Sequence, residues 1–255
     1  MRDVTGKYIW ILGASSGIGA ALARELALRG AKIAISARRE DKLQELLGSL
    51  DGTGHIAVTV DVGDPESIVR AQENILDTFL HIDSALFMAA IYSAHDGKKK
   101  ALSFIHDMVN VNLNGAFNLV DCLVPQYETQ GHGQLILCAS VAGYRGLPTG
   151  QPYCATKAAL ISLSESLKLD LEDKNIDVKL ICPGFVKTPL TDKNDFTMPM
   201  IIDSKDAARA IAKGMCSRAF EIHFPKRFTF IMKMIRILPN CLYFMLARKL
   251  RPDRG

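Results

Sequence analysis

Short, uniformly apolar runs alternate with amphipathic stretches along almost the whole 255-residue chain. The runs are Tyr8–Leu12, Lys32–Ser36, His55–Val60, Ala85–Ala89, Gln134–Cys138 and Val178–Cys182, with Glu221–Phe224 as a weaker seventh. They are mostly apolar throughout, not at every second position, which is the mark of a strand covered on both faces. Between them apolar residues recur at spacings of three and four, predicting helices over Ile18–Arg29, Asp41–Leu50, Pro65–Phe79, Ile105–Gln126, Pro152–Glu172 and Ser204–Met215. Asp64-Pro65-Glu66 adds a helix start, a capping acid followed by proline at the first helical position. This rhythm predicts an α/β fold: a parallel, doubly wound sheet of about seven strands. No repeat, low-complexity tract or Pro/Ser-rich linker divides the chain. Residues 1–225 read as one domain, and 226–255 as a C-terminal helical extension of it.

Composition changes this picture little. The chain is 48% hydrophobic and 23% charged, ordinary for a soluble protein. Six cysteines in apolar contexts, with no CxxC pair, read as reduced core thiols and not as a disulfide frame or metal site. No secretory signal is apparent at Met1–Gly6, and no apolar run approaches the length of a membrane span, so the expectation is a cytoplasmic protein.

Charge does change it. The net +4 conceals an extension with eight basic side chains against one acid, and a body with 23 basic against 26 acidic. Lys226, Arg227, Lys233, Arg236, Arg248, Lys249, Arg251 and Arg254 face only Asp253. Phe228, Ile231, Met234, Ile235 and Leu238 could form one helical face ahead of a break at Pro239, with Tyr243, Phe244, Leu246 and Ala247 in a second helix. Two readings stay open. The extension is either a surface-lying contact with anionic membrane or a pair of helices packed across a pocket or subunit interface. Nucleic acid is not an expected partner, because no aromatic–basic interleaving accompanies the charge.

Gly13-Ala14-Ser15-Ser16-Gly17-Ile18-Gly19 joins the first strand to the first helix. Three glycines there suit a tight turn against a pyrophosphate, with a helix N-terminus near Ser16 facing the anion. The spacing Gly-x-x-x-Gly-x-Gly departs from the usual Gly-x-Gly-x-x-Gly fingerprint. At the end of the second strand, where an acid would meet the ribose 2′-hydroxyl of NAD, stand Arg38 and Arg39. Guanidinium groups hold a 2′-phosphate, so NADPH is the expected cofactor and NAD the lesser candidate.

Tyr153 and Lys157 lie four apart in a predicted helix and so share a face. A neighbouring ammonium favours phenolate and is expected to pull the Tyr153 pKa down toward neutral pH. Ser140 follows the fifth strand, in the crevice where doubly wound sheets bind ligands, and Asn112 interrupts a long helical pattern.

In order and spacing the glycine turn, Asn112-x-x-Gly115, Ser140, Tyr153-x-x-x-Lys157 and Pro183-Gly184-Phe185-Val186-Lys187-Thr188 resemble the short-chain dehydrogenase/reductase family, over about residues 5 to 225. The resemblance implies a single-domain Rossmann-type fold and hydride transfer between a nicotinamide and a carbonyl or alcohol carbon. It implies Tyr153 as proton donor and acceptor, Lys157 on the nicotinamide ribose, Ser140 on the substrate oxygen, and Asn112 placing a relay water. Asp61 would meet the adenine. Gly13, Ser15, Ser16, Gly17, Ile18, Gly19, Val62, Ala89 and Val186 would line the cofactor, with Pro183, Gly184 and Thr188 bordering its amide. Homodimers or homotetramers are implied too, and no metal.

Two departures stand out. Leu12 replaces the family's threonine, and Phe87-Met88-Ala89-Ala90 replaces its Asn-Asn-Ala-Gly, so the backbone there must find other partners, and Ala90 crowds the cofactor edge. The segment Pro189–Ile202, with Phe196, Met198 and Met200, matches the family's substrate lid and suggests an apolar, lipid- or steroid-like carbonyl or alcohol substrate. The alternative is a catalytically silent, nucleotide-sensing or membrane-associated regulatory protein, against which the intact Asn112, Ser140, Tyr153 and Lys157 argue.

Overall fold

A computed structural model describes residues 1–93, 101–193 and 198–249. Asn194, Asp195, Phe196 and Thr197 of the expected lid, and the extension from Leu250 onward, lie outside the described residues.

The seven strands are β1 (Tyr8–Leu12), β2 (Lys32–Ala37), β3 (Ile56–Thr59), β4 (Ser84–Phe87), β5 (Gly133–Cys138), β6 (Ile176–Pro183) and β7 (Glu221–Phe224). They form one sheet in the order β3-β2-β1-β4-β5-β6-β7, and every pairing is parallel. The chain order reverses between β1 and β4, which opens the crevice where such sheets bind ligands.

The helices are α1 (Gly17–Leu28), α2 (Glu40–Leu47), α3 (Pro65–Thr78), α4 (Leu102–Val109), α5 (Gly115–Gln130), α6 (Tyr153–Leu171), α7 (Ser204–Met215), α8 (Lys226–Arg236) and α9 (Asn240–Arg248). The uniformly apolar strands are explained by what covers them. In β1, Ile9 and Ile11 pack with α1, α2 and α7, while Trp10 and Leu12 point to the core shared with α3, α5 and α6. Alternate residues therefore feed two cores, and none can be polar without a partner. Ser36 is polar and fully buried, and it accepts the Trp10 indole N–H at 2.8 Å.

One element departs from expectation. The long helix read from Ile105 to Gln126 is two helices, α4 and α5, joined by a π-helical turn at Asn110–Asn114. The wider turn carries Asn112 into the interior, where it is fully buried. Its Oδ1 accepts from Ile91 N at 2.7 Å, and its Nδ2 donates to Ile91 O at 3.0 Å. This amide pair fastens the backbone just after β4, where the family's asparagines are missing. Met88 N donates to Leu12 O at 2.8 Å and completes the closure.

The 3₁₀ turn Val141–Gly143 follows β5 and packs directly on α6. A Cβ on Gly143 would stand 2.6 Å from the Lys157 carbonyl oxygen, so glycine alone permits that approach. Gly146, three residues on, has nothing within 4 Å. Gly143→Ala is expected to lose about 1–3 kcal/mol by overpacking, roughly 2–10 °C in Tm, while Gly146→Ala stays within about 0.5 kcal/mol. Thermal unfolding of the two variants checks this, and equal Tm values would refute the packing account.

Candidate active site

The residues expected to move the proton gather at the carboxyl ends of β5 and β6. Ser140 precedes the 3₁₀ turn, accepts from Ala142 N at 3.1 Å and reaches the Pro183 carbonyl at 3.5 Å. Tyr153 opens α6, half-buried, with the Tyr92 ring edge-on to its own at 5.1 Å between centroids. Lys157, one turn further, is only 2% exposed, and its Nζ lies 5.6 Å from the centre of the Tyr153 ring. The pair that the spacing predicts does share one face.

The electrostatics differ from the expectation. Burial pushes the Tyr153 phenol above its ordinary value, and the nearby Cys138 thiol adds to this. Interaction with Ser140 works in the opposite direction. Burial likewise lowers the Lys157 pKa. The expected depression of the phenol by its neighbouring ammonium is not found: burial, which disfavours the phenolate, is the largest effect and moves the pKa up.

Lys157 is an unusual buried cation. Nζ donates to the Cys138 carbonyl at 2.8 Å, which uses one of three N–H donors. Lys179, equally buried in β6, donates to the carbonyls of Ser217 and Ala219 at 2.7 and 2.9 Å and pairs with Asp177 at 3.5 Å. Lys179 is fully satisfied by its own chain. Among the described residues, Lys157 is not.

Asn112 lies behind this group, its Nδ2 3.4 Å from Thr156 Oγ1. Its amide is already committed to Ile91 and Thr156, so the side chain serves first as a clamp.

The residues assigned to the cofactor line the ends of β1 to β4 and β6. Gly13 has φ +91°, and a Cβ there would stand 2.5 Å from Ala89 N. A Cβ on Gly19 would stand 2.4 Å from the Gly13 carbonyl oxygen. These two glycines are thus required by the chain's own backbone, where the sequence pointed to an external pyrophosphate. Gly17 would bring its Cβ to 3.2 Å from the Thr188 methyl, so the turn and the segment after β6 meet.

The turn still suits an anion. Ser16 stands at the N-cap of α1 without a capping hydrogen bond, and the first turn of α1, from Gly17 through Ile18 and Gly19, holds no acid. By contrast α3 carries Asp64, Pro65 and Glu66. The positive end of α1 is therefore not neutralised by side chains.

Arg39 donates to Ser15 Oγ at 2.9 Å and to Ser16 Oγ at 3.3 Å. Arg38 stands exposed beside it at the end of β2. Asp61 is exposed beyond β3, accepting from Gly63 N at 3.0 Å, with Val62 buried next to it. Ala89 lies beyond β4, Pro183 ends β6, and Gly184 and Val186 follow it. This donor set, with two guanidiniums, a bare helix start and a buried ammonium that has donors to spare, fits a nicotinamide dinucleotide.

Three contributors were not legible as site residues. The Cys138 carbonyl, the Ile91 backbone and Tyr92 offer no side-chain motif, since two act through main-chain atoms and the third through a ring contact. The extension also reaches the site. Phe228 of α8 lies against Gly184, where a Cβ would meet its ring at 2.7 Å, and stacks with Phe185 at 5.4 Å. The single face expected on α8 is divided: Phe228 and Ile235 pack inward with the buried Met232, while Ile231 and Met234 are exposed. Ile231 and Met234 lie about a third of a turn away from that buried line. No helix among the described residues is long and apolar enough to cross a membrane.

Comparison with known proteins agrees with this geometry. An uncharacterized oxidoreductase of Myxococcus xanthus is 30% identical over 253 residues, covering 98% of this chain and all of its own. A 3-oxoacyl-[acyl-carrier-protein] reductase of Rickettsia prowazekii is 32% identical over 76% of this chain and 78% of its own. Among solved structures, a 3-ketoacyl-(acyl-carrier-protein) reductase from Brucella melitensis, complexed with NADH, superposes with a TM-score of 0.79 at 23% identity. It covers 88% of this chain and 99% of its own. The profile of the short chain dehydrogenase family matches residues 7–198. With the strand order, the Tyr153–Lys157 pair and this match in agreement, the chain belongs to the short-chain dehydrogenase family of oxidoreductases.

Proposed function

We propose that the protein is an NADPH-preferring reductase of an apolar ketone, able to run in reverse as an alcohol dehydrogenase. The observation that carries this is the buried Lys157 ammonium with uncommitted donors, set against the Tyr153 ring at the strand ends. When bound, the nicotinamide supplies or accepts the hydride. Tyr153 Oη gives its proton to the oxygen of the reacting carbonyl. The Ser140 hydroxyl donates to that same oxygen and steadies its developing charge. Lys157 would hold the ribose hydroxyls with its remaining N–H donors. Arg38 and Arg39 support the 2′-phosphate reading, and α1 presents its N-terminus to the pyrophosphate.

An apolar substrate is favoured by the Tyr92 ring on Tyr153 and by the Phe185–Phe228 pair beside Gly184. The Rickettsia relative, named for a 3-oxoacyl substrate, is consistent with a ketone on an acyl chain.

Tyr153→Phe should lower ketone reduction by about 10²–10⁴-fold while leaving NADPH affinity within a few-fold, read by NADPH absorbance and fluorescence. Because burial raises the phenol's pKa, wild-type reduction should hold level up to about pH 9 while alcohol oxidation climbs with pH over the same range. Near-normal reduction by the phenylalanine variant, or oxidation that declines as pH rises, would overturn the mechanism.

Arg38→Asp should weaken NADPH roughly 10–100-fold, the worth of a charge-assisted hydrogen bond, and leave NADH nearly unchanged. Equal loss for both cofactors would refute the assignment of the 2′-phosphate to this arginine.

A further inference from the structure

Packing on the body uses only half of α8 and α9. Thr229 and Met232 of α8 and Tyr243 and Ala247 of α9 turn inward. Both helices are tied to the loop after β5. Lys233 pairs with Glu221 at 2.5 Å, and Glu221 also accepts the Tyr144 hydroxyl. Arg145 donates to Leu238 O at 2.9 Å and lies 4.4 Å over the Tyr243 ring, whose hydroxyl donates to the Gly146 carbonyl. The two helices are thus anchored along one stretch, Tyr144–Gly146.

Those outward faces are apolar. Phe230, Ile231, Met234 and Ile237 recur at three- and four-residue spacing, with Phe230 62% and Ile237 71% exposed. Leu242, Phe244, Met245 and Leu246 stand exposed on α9. Of the fifteen large apolar side chains that stand exposed among the described residues, eight fall within this one segment. Scattered exposure is ordinary, whereas concentration of this kind marks an interaction surface. Lys226 and Arg227 lie one turn before Phe230, and Arg248 and Lys249 one turn after Met245. Neither helix contains an acid.

We propose that the outward face of α8 and α9 docks in the plane of an anionic lipid surface, its apolar residues at the acyl boundary and its cations on the headgroups. Charge selects this occupant. A second copy would oppose the same cations across the interface, whereas phosphate-bearing lipid neutralises them. An open groove of about 260 Å³ between Leu147, Pro148 and the α9 residues Tyr243 and Phe244 adjoins this face. The loop bearing that groove packs on Cys154, next to Tyr153, with the Gly150 Cβ position 2.4 Å from Cys154 Sγ. The inference concerns the surface and holds whatever chemistry Tyr153 performs.

Flotation of the full-length protein with phosphatidylcholine vesicles, with and without phosphatidylglycerol, tests it. The protein should float with the anionic vesicles, stay behind with neutral ones, and release as salt rises. Lys226→Gln with Arg227→Gln should weaken binding by about 25-fold, at about fivefold per cation. Phe230→Glu with Ile237→Glu should abolish it, and both variants should keep the wild-type Tm. Three results would overturn the proposal: no flotation with either vesicle, equal flotation with both, or a solution dimer that Phe230→Glu with Ile237→Glu converts to monomer.

Discussion

A lysine ammonium buried in the interior is costly unless it is paired or bonded, and the environment of Lys157 is organised around that cost. The amine is held at 2.8 Å by the carbonyl of Cys138, the last residue of β5. That bond requires α6 to lie hard against the end of β5, which the missing Cβ of Gly143 permits. The same approach brings Ser140 and Tyr153 together over the Pro183 carbonyl end of β6. One electrostatic constraint thus sets the positions of the candidate groups at a strand end, a turn and a helix.

The second support comes from the other side of α6. The π turn at Asn110–Asn114 directs Asn112 inward, where its amide holds both polar groups of Ile91 and touches Thr156. The segment after β4 is thereby fixed even though its own sequence, Phe87-Met88-Ala89-Ala90, carries no hydrogen-bonding side chains. Tyr92 follows directly and meets the Tyr153 ring. A change that looks disruptive in the sequence is absorbed by one buried amide.

The sheet was legible in the sequence because burial on both faces leaves a signal that local context does not mask. Every apolar run became a strand, with Tyr8–Leu12 and Glu221–Phe224 matching to the residue. The clustering of Ser140, Tyr153 and Lys157 was legible because side-chain chemistry at fixed spacing is written in residue types. The π turn was not, since it differs from an α-helix by one backbone register and keeps the apolar periodicity on either side. The direction of the Tyr153 pKa was not legible either. Sequence places a cation nearby, but only the packing shows how little water remains to stabilise a phenolate. The inward line of α8 was missed for a related reason: Thr229 is fully buried by its bonds to the Pro225 and Lys226 carbonyls and to His223, which no hydrophobic pattern reveals.

The most direct test is the turnover of Lys157→Met, with thermal unfolding as its internal control. Methionine fills similar volume without charge, so the variant should fold with a Tm at or above wild type and reduce ketones about 10²–10³-fold more slowly. A folded Lys157→Met protein with undiminished turnover would contradict the role assigned to the buried ammonium.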